Sequence, residues 1–116
     1  LMQIGRAYHT KVIAPDNVNM LRAIIAAPGA SNILRDLYSQ GPSRFTRVFS
    51  AWLAALDAGG RLRIPDPVLA AEHFVSFTFG PLHLRRLFGV EAPLDEADVE
   101  RRVGYCVETF LKAHAP

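Results

Sequence analysis

Few residues of this chain are of types that do chemistry, and their spacing does not form a reactive group. Four histidines, His9, His73, His83 and His114, and one cysteine, Cys106, are the candidates for metal binding or proton transfer. His73 and His83 share a predicted helix, but they lie ten residues apart, which is about 15 Å of helical rise and too far for one metal ion. We therefore expect surface histidines, or histidines at the rim of a pocket where His73 or His83 donates a hydrogen bond to a ligand.

The remaining polar residues do not suggest catalysis either. Cys106 falls within the apolar stripe of a predicted helix, where a packed thiol is the simpler interpretation. Asp95, Glu96 and Asp98 cluster where a helix should start, and carboxylates there interact favourably with the helix dipole. The sequence contains no nucleophile motif, glycine-rich phosphate loop or metal-ligand spacing. It predicts a protein that is not an enzyme and uses no metal or cofactor.

The composition is that of one packed domain. Of the 116 residues, 50% are hydrophobic and 21% are charged, which is typical of a globular fold and not of a disordered tail. A single domain over residues 1–116 is expected. No stretch approaches the roughly 18 apolar residues of a membrane span, and the chain does not open like a signal peptide. With a single cysteine, these features predict a cytoplasmic protein without a membrane partner.

The small excess of basic residues does not indicate a nucleic-acid surface. Thirteen Lys and Arg stand against 11 Asp and Glu, and the basic residues are scattered in pairs such as Arg85–Arg86 and Arg101–Arg102. A phosphate-binding face needs a clustered basic stripe. We expect most of these side chains to lie on solvated helix faces.

Proline and glycine divide the chain into five or six segments of helical length, which predicts an all-α bundle. Apolar residues recur at steps of three and four in each segment. The connector at 61–67 is bounded by prolines and predicted to be a loop. The predicted helices run from Leu1 to Ile13, from a cap at Asp16 to Pro28, from a cap at Ser31 to Gly41, from Ser43 to Ala58, from a cap at Asp66 to Phe88, and from Asp95 to His114.

The segment from Asp66 to Phe88 is apolar over well over half of its circumference. One face carries Phe74 and Phe77 and a second face beside it carries Val75 and Phe79. Such a helix either runs through the centre of the domain or forms a subunit interface. Pro81 lies within it and removes one backbone donor, so a kink is expected near Phe77.

Seven segments in this order resemble the C-terminal domain of TetR-family regulators, in particular the AefR-like subgroup. They cover nearly the whole chain, although each alone would pass for an ordinary amphipathic helix. The segments are LRAIIAAP at 21–28, LY at 37–38 before GP at 41–42, WLAAL at 52–56, RLRIPDP at 61–67, AAEHF at 70–74, LHLRRLFG at 82–89 and VETFL at 107–111.

This resemblance implies the regulatory half of a transcriptional repressor. In such proteins the last two long helices pair with their two-fold mates as a four-helix dimer bundle, and the middle helices enclose a small, hydrophobic effector. The N-terminal helix-turn-helix that would enter DNA is absent from this chain, so DNA would be a partner only through that domain. The chain opens with Leu1 and not with Met, which suggests that upstream residues are missing. The alternative is a free-standing helical interaction module or a small helical enzyme.

Apolar residues on the middle helices are the candidates for the pocket wall, because such pockets are apolar with a few polar groups. The alternative is that these side chains simply fill the core. The candidate ligand-binding residues are Met20, Ile24, Phe45, Phe49, Trp52, His73, Phe74 and Phe77.

The candidate dimer interface lies on the last two helices, where two helices from each subunit would bury about 1,200 to 2,000 Å². The alternative is that one of these stripes faces the core of the single chain. The candidate interface residues are Val75, Phe79, Leu82, Val103, Val107 and Phe110.

Overall fold

The computed structural model of the chain describes residues 1–11, 14–90 and 94–116, and these residues form helices and no strands. This confirms the predicted all-α architecture. The predicted end of the first helix at Ile13 lies outside the described residues. The helices of these described residues are α1 (Met2–Lys11), α2 (Pro15–Ala26), α3 (Ala30–Gln40), α4 (Pro42–Ala58), α5 (Pro67–Leu87) and α6 (Glu96–Ala113).

The two long C-terminal helices begin at the predicted caps. The Asp66 carboxylate accepts a hydrogen bond from the Leu69 N–H at 3.0 Å, and Pro67 fills the first helical position. Asp95 accepts in the same way from the Asp98 N–H at 2.8 Å. Each carboxylate satisfies a backbone donor that has no partner within the helix.

The two predicted caps in the N-terminal half are wrong. Helix α2 begins at Pro15 after Ala14, which makes no side-chain cap, so Asp16 lies within the first turn. Helix α3 begins at Ala30, one residue before Ser31, because Gly29 turns the chain with a φ of 74°. That left-handed conformation is one that glycine adopts without steric cost.

Helix α5 runs through the centre of the domain, as one of the two interpretations of its wide apolar surface requires. Phe74 of α5 packs edge-on against Phe49 of α4, with 5.3 Å between the ring centroids, and against Phe110 of α6 at 5.4 Å. Ile64 of the predicted loop is buried in the same cluster, and its N–H donates to the Asp57 carboxylate at 2.7 Å. One face of α5 therefore holds α4 and α6 together.

Five of the six residues predicted at the dimer interface are buried within one chain, as the alternative that these stripes face the core of the single chain holds. They face neighbouring helices of the same chain because α5 packs on several sides at once. They have almost no area left to bury against a second copy. The buried residues are Phe79, Leu82, Val103, Val107 and Phe110, while Val75 is half-buried.

Helices α1 and α6 approach each other closely at a glycine. A Cβ atom added to Gly5 would lie 2.4 Å from Cγ1 of Val103, which is fully buried. The next residue of α1, Arg6, forms an ion pair with Glu100 of α6, with 2.6 Å between Nε and Oε1. These contacts fix α1 against α6 and so determine where the next turn of α1 lies.

Pro81 lies within α5 without ending the helix. Because Pro81 has no N–H, the Phe77 carbonyl four residues earlier loses its usual donor. The Cys106 thiol of α6 donates to that carbonyl at 3.4 Å. The hydrogen bond that Pro81 removes from within α5 is thus replaced by a hydrogen bond between α6 and α5. The kink expected near Phe77 stays a prediction.

Among the residues that the structure describes, no helix is both long and apolar enough to cross a membrane.

Candidate functional site

The candidate site is a cavity between the N-terminal helices and α5, which we call the main cavity. Its volume is about 480 Å³, which lies within the usual range for small-molecule pockets. Its walls are mostly apolar, and no Asp, Glu, Lys or Arg lines it among the residues described. The lining residues are Tyr8, Leu21, Leu34, Leu37, Tyr38, Pro42, Val75, Ser76, Phe79, Gly80 and His83.

Tyr8 of α1 forms the wall of this cavity together with Phe79 of α5. The two rings are stacked, with 4.0 Å between centroids and 13° between planes. The other side of Tyr8 meets Phe45 of α4 edge-on at 5.3 Å. Burial raises the pKa of the Tyr8 hydroxyl, and nearby Tyr38 raises that pKa further. Tyr8 is therefore neutral at physiological pH, with a hydroxyl that can donate or accept.

His83 of α5 provides a second neutral polar group on the cavity wall. Burial lowers the pKa of His83, and the neighbouring Arg86 charge lowers it further. A neutral imidazole offers one donor and one acceptor. With the hydroxyls of Tyr38 and Ser76, the cavity combines apolar walls with a few uncharged polar groups. Such a set suits an apolar ligand that carries hydroxyl or carbonyl groups.

A second cavity of about 370 Å³, the side cavity, adjoins the main one between α1 and α4. Tyr8 and Pro42 line both cavities. The other residues that line the side cavity are Ile4, Ala7, Lys11, Gly41 and Phe45.

A third cavity of about 440 Å³ lies on the other side of α1, near His9, Arg86 and the start of α6. His9 is 5% exposed and packs edge-on against Phe79 at 5.2 Å. Burial lowers the pKa of His9, the charges of Arg86 and Arg102 lower it further, and contact with the Thr78 backbone acts in the opposite direction. Phe79 thus contacts both Tyr8 and His9.

The structure does not bring the candidate ligand-binding residues together around the main cavity. Phe49 and Phe74 are buried in the core with α6, as the core-filling alternative holds. Phe45 lines the side cavity, and Ile24 is half-buried on α2. The side chains of the other four candidates are exposed: Met20, Trp52, His73 and Phe77.

Several residues that line the main cavity were missed by the sequence interpretation. Val75 and Phe79 were assigned to the dimer interface, because both apolar faces of α5 look alike in the sequence. Tyr8 and Leu37 lie on predicted helices whose apolar residues recur at steps of three and four, but nothing in that spacing distinguishes a cavity wall from core. His83 is the predicted rim histidine that does line the cavity.

No group of three or more His, Cys, Asp or Glu side chains in the described part of the chain is placed to hold a metal ion.

Comparisons with known proteins identify the class of this helical domain. The sequence model of the AefR-like transcriptional repressor C-terminal domain matches residues 1–116. A crystal structure of a putative TetR-family transcriptional regulator from Mesorhizobium loti superposes with a TM-score of 0.85 at 24% identity, covering 98% of this chain and 57% of that one. The flavonoid-responsive regulator FrrA superposes with a TM-score of 0.80 at 30% identity, covering 97% of this chain and 57% of FrrA. No curated protein matches the chain.

The fold is therefore that of the C-terminal domain of a TetR-type regulator. The chain belongs to the family of AefR-like transcriptional repressor C-terminal domains, which confirms the resemblance. The chain spans 57% of the length of these two solved structures.

Proposed function

We propose that this domain binds a small, largely apolar effector in the main cavity and so regulates a transcriptional repressor. The main cavity is the observation that carries the proposal, because it combines a volume of about 480 Å³ with apolar walls and neutral polar groups. Effector binding is typical of TetR-family regulators, and the family match favours this function over a free-standing module or a helical enzyme. DNA would be contacted only by an N-terminal domain, and the protein would act in the cytoplasm.

We propose further that the domain forms a homodimer through the outer face of α5 and α6. Phe77 and Leu84 of α5 and Phe88, the C-cap residue directly after α5, follow one another at steps of seven and four, so they share one stripe. All three side chains are exposed, and so is Tyr105 of α6, which lies next to Cys106, the partner of the Phe77 carbonyl. Large exposed apolar and aromatic side chains on neighbouring helices are typical of a protein interface.

A cavity-filling substitution tests effector binding. Ser76 lines the main cavity and is exposed, so Ser76→Trp should occupy the cavity without disturbing the core. We expect this variant to weaken binding of the neutral fluorescent probe N-phenyl-1-naphthylamine about tenfold or more, since a filled apolar pocket loses the area it would bury. His73→Trp is the matched control, because His73 is exposed on the same helix and lines none of the cavities described above.

Because FrrA is named as flavonoid-responsive, the flavonoid naringenin is the first competitor to test against the probe. Equal affinity of the Ser76→Trp and His73→Trp variants for the probe would place binding elsewhere and refute the proposed cavity.

A further inference from the structure

We propose that the main and side cavities are two chambers of one elongated site divided by the Tyr8 ring, and that this site takes an unbranched apolar molecule with an acidic end. This inference rests on the proposed function, because it names the class of effector for the same site.

The Tyr8 ring is the wall that the two chambers share. Tyr8 and Pro42 line both cavities. The ring stacks on Phe79, which lines the main cavity, and meets Phe45, which lines the side cavity, edge-on. A rotation of this one side chain away from Phe79 would therefore open a passage between the chambers while both backbones stay in place.

The charges along the two chambers set the direction in which a ligand lies. The main cavity has no charged lining residue among those described, so an ionised group placed there would lose its hydration without a counter-charge. Lys11 is the one charged residue among the described lining of the side cavity. The rest of the side-cavity wall is largely apolar and includes Ile4, Ala7 and Phe45. A ligand with its tail in the main cavity and a carboxylate at Lys11 satisfies both conditions.

Moving Tyr8 has a cost that a longer ligand must offset. Stacking of an aromatic pair is stabilising beyond the effect of the area that the pair buries. Loss of the Tyr8–Phe79 stacking would therefore disfavour the displaced ring about 2-fold to 12-fold in the equilibrium between the two positions. Each methylene buried contributes about 4-fold in affinity. Ligands that extend into both chambers therefore recover the cost of moving Tyr8 with a few methylenes.

A comparison of short and long carboxylates tests the inference. The dissociation constants of octanoate and tetradecanoate are measured below their micellar concentrations by displacement of N-phenyl-1-naphthylamine. Tyr8→Ala removes the partition and should raise the preference for tetradecanoate over octanoate about tenfold. Ala7→Trp fills only the side cavity and should lower this preference. Gln3→Trp, on an exposed position of α1 outside both cavities, should leave it unchanged.

The acidic end is tested with an alcohol of the same length. Tetradecanoate should bind about 2-fold to 5-fold more tightly than 1-tetradecanol, as expected for a partly exposed ion pair, and Lys11→Gln should abolish this difference. Equal binding of acid and alcohol to the unsubstituted chain would overturn the acidic end of the proposed class.

The outcomes separate this inference from the proposed function. The proposed function fails if neither carboxylate nor naringenin displaces the probe and the Ser76→Trp substitution does not weaken binding of the probe. If the carboxylates bind but Tyr8→Ala and Ala7→Trp leave the chain-length preference unchanged, the two-chamber site alone is refuted. If the Tyr8→Ala variant loses its helical circular dichroism signal, the Ala7→Trp variant alone tests the two-chamber site. A lower preference for tetradecanoate over octanoate then supports the site, and an unchanged preference refutes it.

Discussion

At the scale of single residues, two histidines that look alike in the sequence occupy different environments. His83 lines an apolar cavity, while His9 is buried between α1 and α5 with Arg86 and Arg102 nearby. In both cases burial is the largest cause of a lowered pKa. The sequence alone could place both histidines on helices, but it could not give their burial, because burial depends on which helices pack against them.

The pKa of His9 predicts a loss of stability in acid. The pKa of His9 in the folded chain lies below its ordinary value of 6.5. At a pH between these two pKa values, the folded chain therefore binds fewer protons at this residue than the unfolded chain does. Its contribution to stability is therefore full above pH 6.5 and is lost as the pH falls toward the lowered pKa. We expect the midpoint temperature of thermal unfolding to decrease as the pH is lowered from about 7.5 to about 5.

His9→Phe should make that decrease smaller, because phenylalanine keeps a ring against Phe79 and does not titrate. His83 has a lowered pKa too, so part of the pH dependence will persist. His73→Phe, at an exposed position, is the control and should follow the unsubstituted chain. An undiminished decrease in His9→Phe would contradict the account given for His9.

At the scale of elements, the helices and their order could be predicted, but their faces could not. The apolar periodicity and the Asp66 and Asp95 caps predicted the first and last residues of α5 and α6 to within a residue or two. Two apolar faces side by side on α5 do not reveal which one meets the same chain, because Phe77 and Phe79 are chemically equivalent. Only the packing shows that Phe79 is buried and Phe77 is 64% exposed.

The contact between α1 and α6 predicts a strong coupling between two small residues. Gly5→Ala should destabilise the chain by about 1 to 3 kcal/mol, because the new methyl group meets the rigid, buried Val103 side chain. In a Val103→Ala background the same change should be neutral or stabilising, since alanine favours a helix by about 0.5 to 1 kcal/mol. Urea denaturation of the four chains measures both terms.

Gly104→Ala on α6 provides the control, because a Cβ atom added there meets nothing within 4 Å. It should be neutral or stabilising in the unsubstituted chain. Additive effects of Gly5→Ala and Val103→Ala would show that α1 and α6 do not pack as closely as described.

At the scale of the whole molecule, the described chain is flatter than a typical domain of its size. Its principal extents are 48 × 33 × 17 Å and its radius of gyration is 15.4 Å, against about 13 Å for a compact domain of this length. A thickness of 17 Å leaves room for no more than two layers of helices. Such a slab leaves apolar side chains such as Phe77, Leu84 and Tyr105 on its surface, which favours a second copy as their partner.

The proposed dimer agrees with this shape, and a subunit interface was one of the two interpretations of the wide apolar surface of α5. The interface that we propose differs from the residues first assigned to it, because Leu82, Val103 and Val107 are already buried. Phe77→Arg should therefore disrupt the dimer by placing a charge in an apolar contact. Val48→Arg is the matched control, since Val48 of α4 is 63% exposed and lies outside α5 and α6.

Light scattering coupled to size exclusion tests most directly whether this chain is one half of a two-fold regulatory unit. At micromolar concentration we expect a particle of twice the 12.8 kDa chain mass, unchanged in Val48→Arg and reduced to one chain in Phe77→Arg. A 12.8 kDa particle for the unsubstituted chain would contradict the proposed dimer.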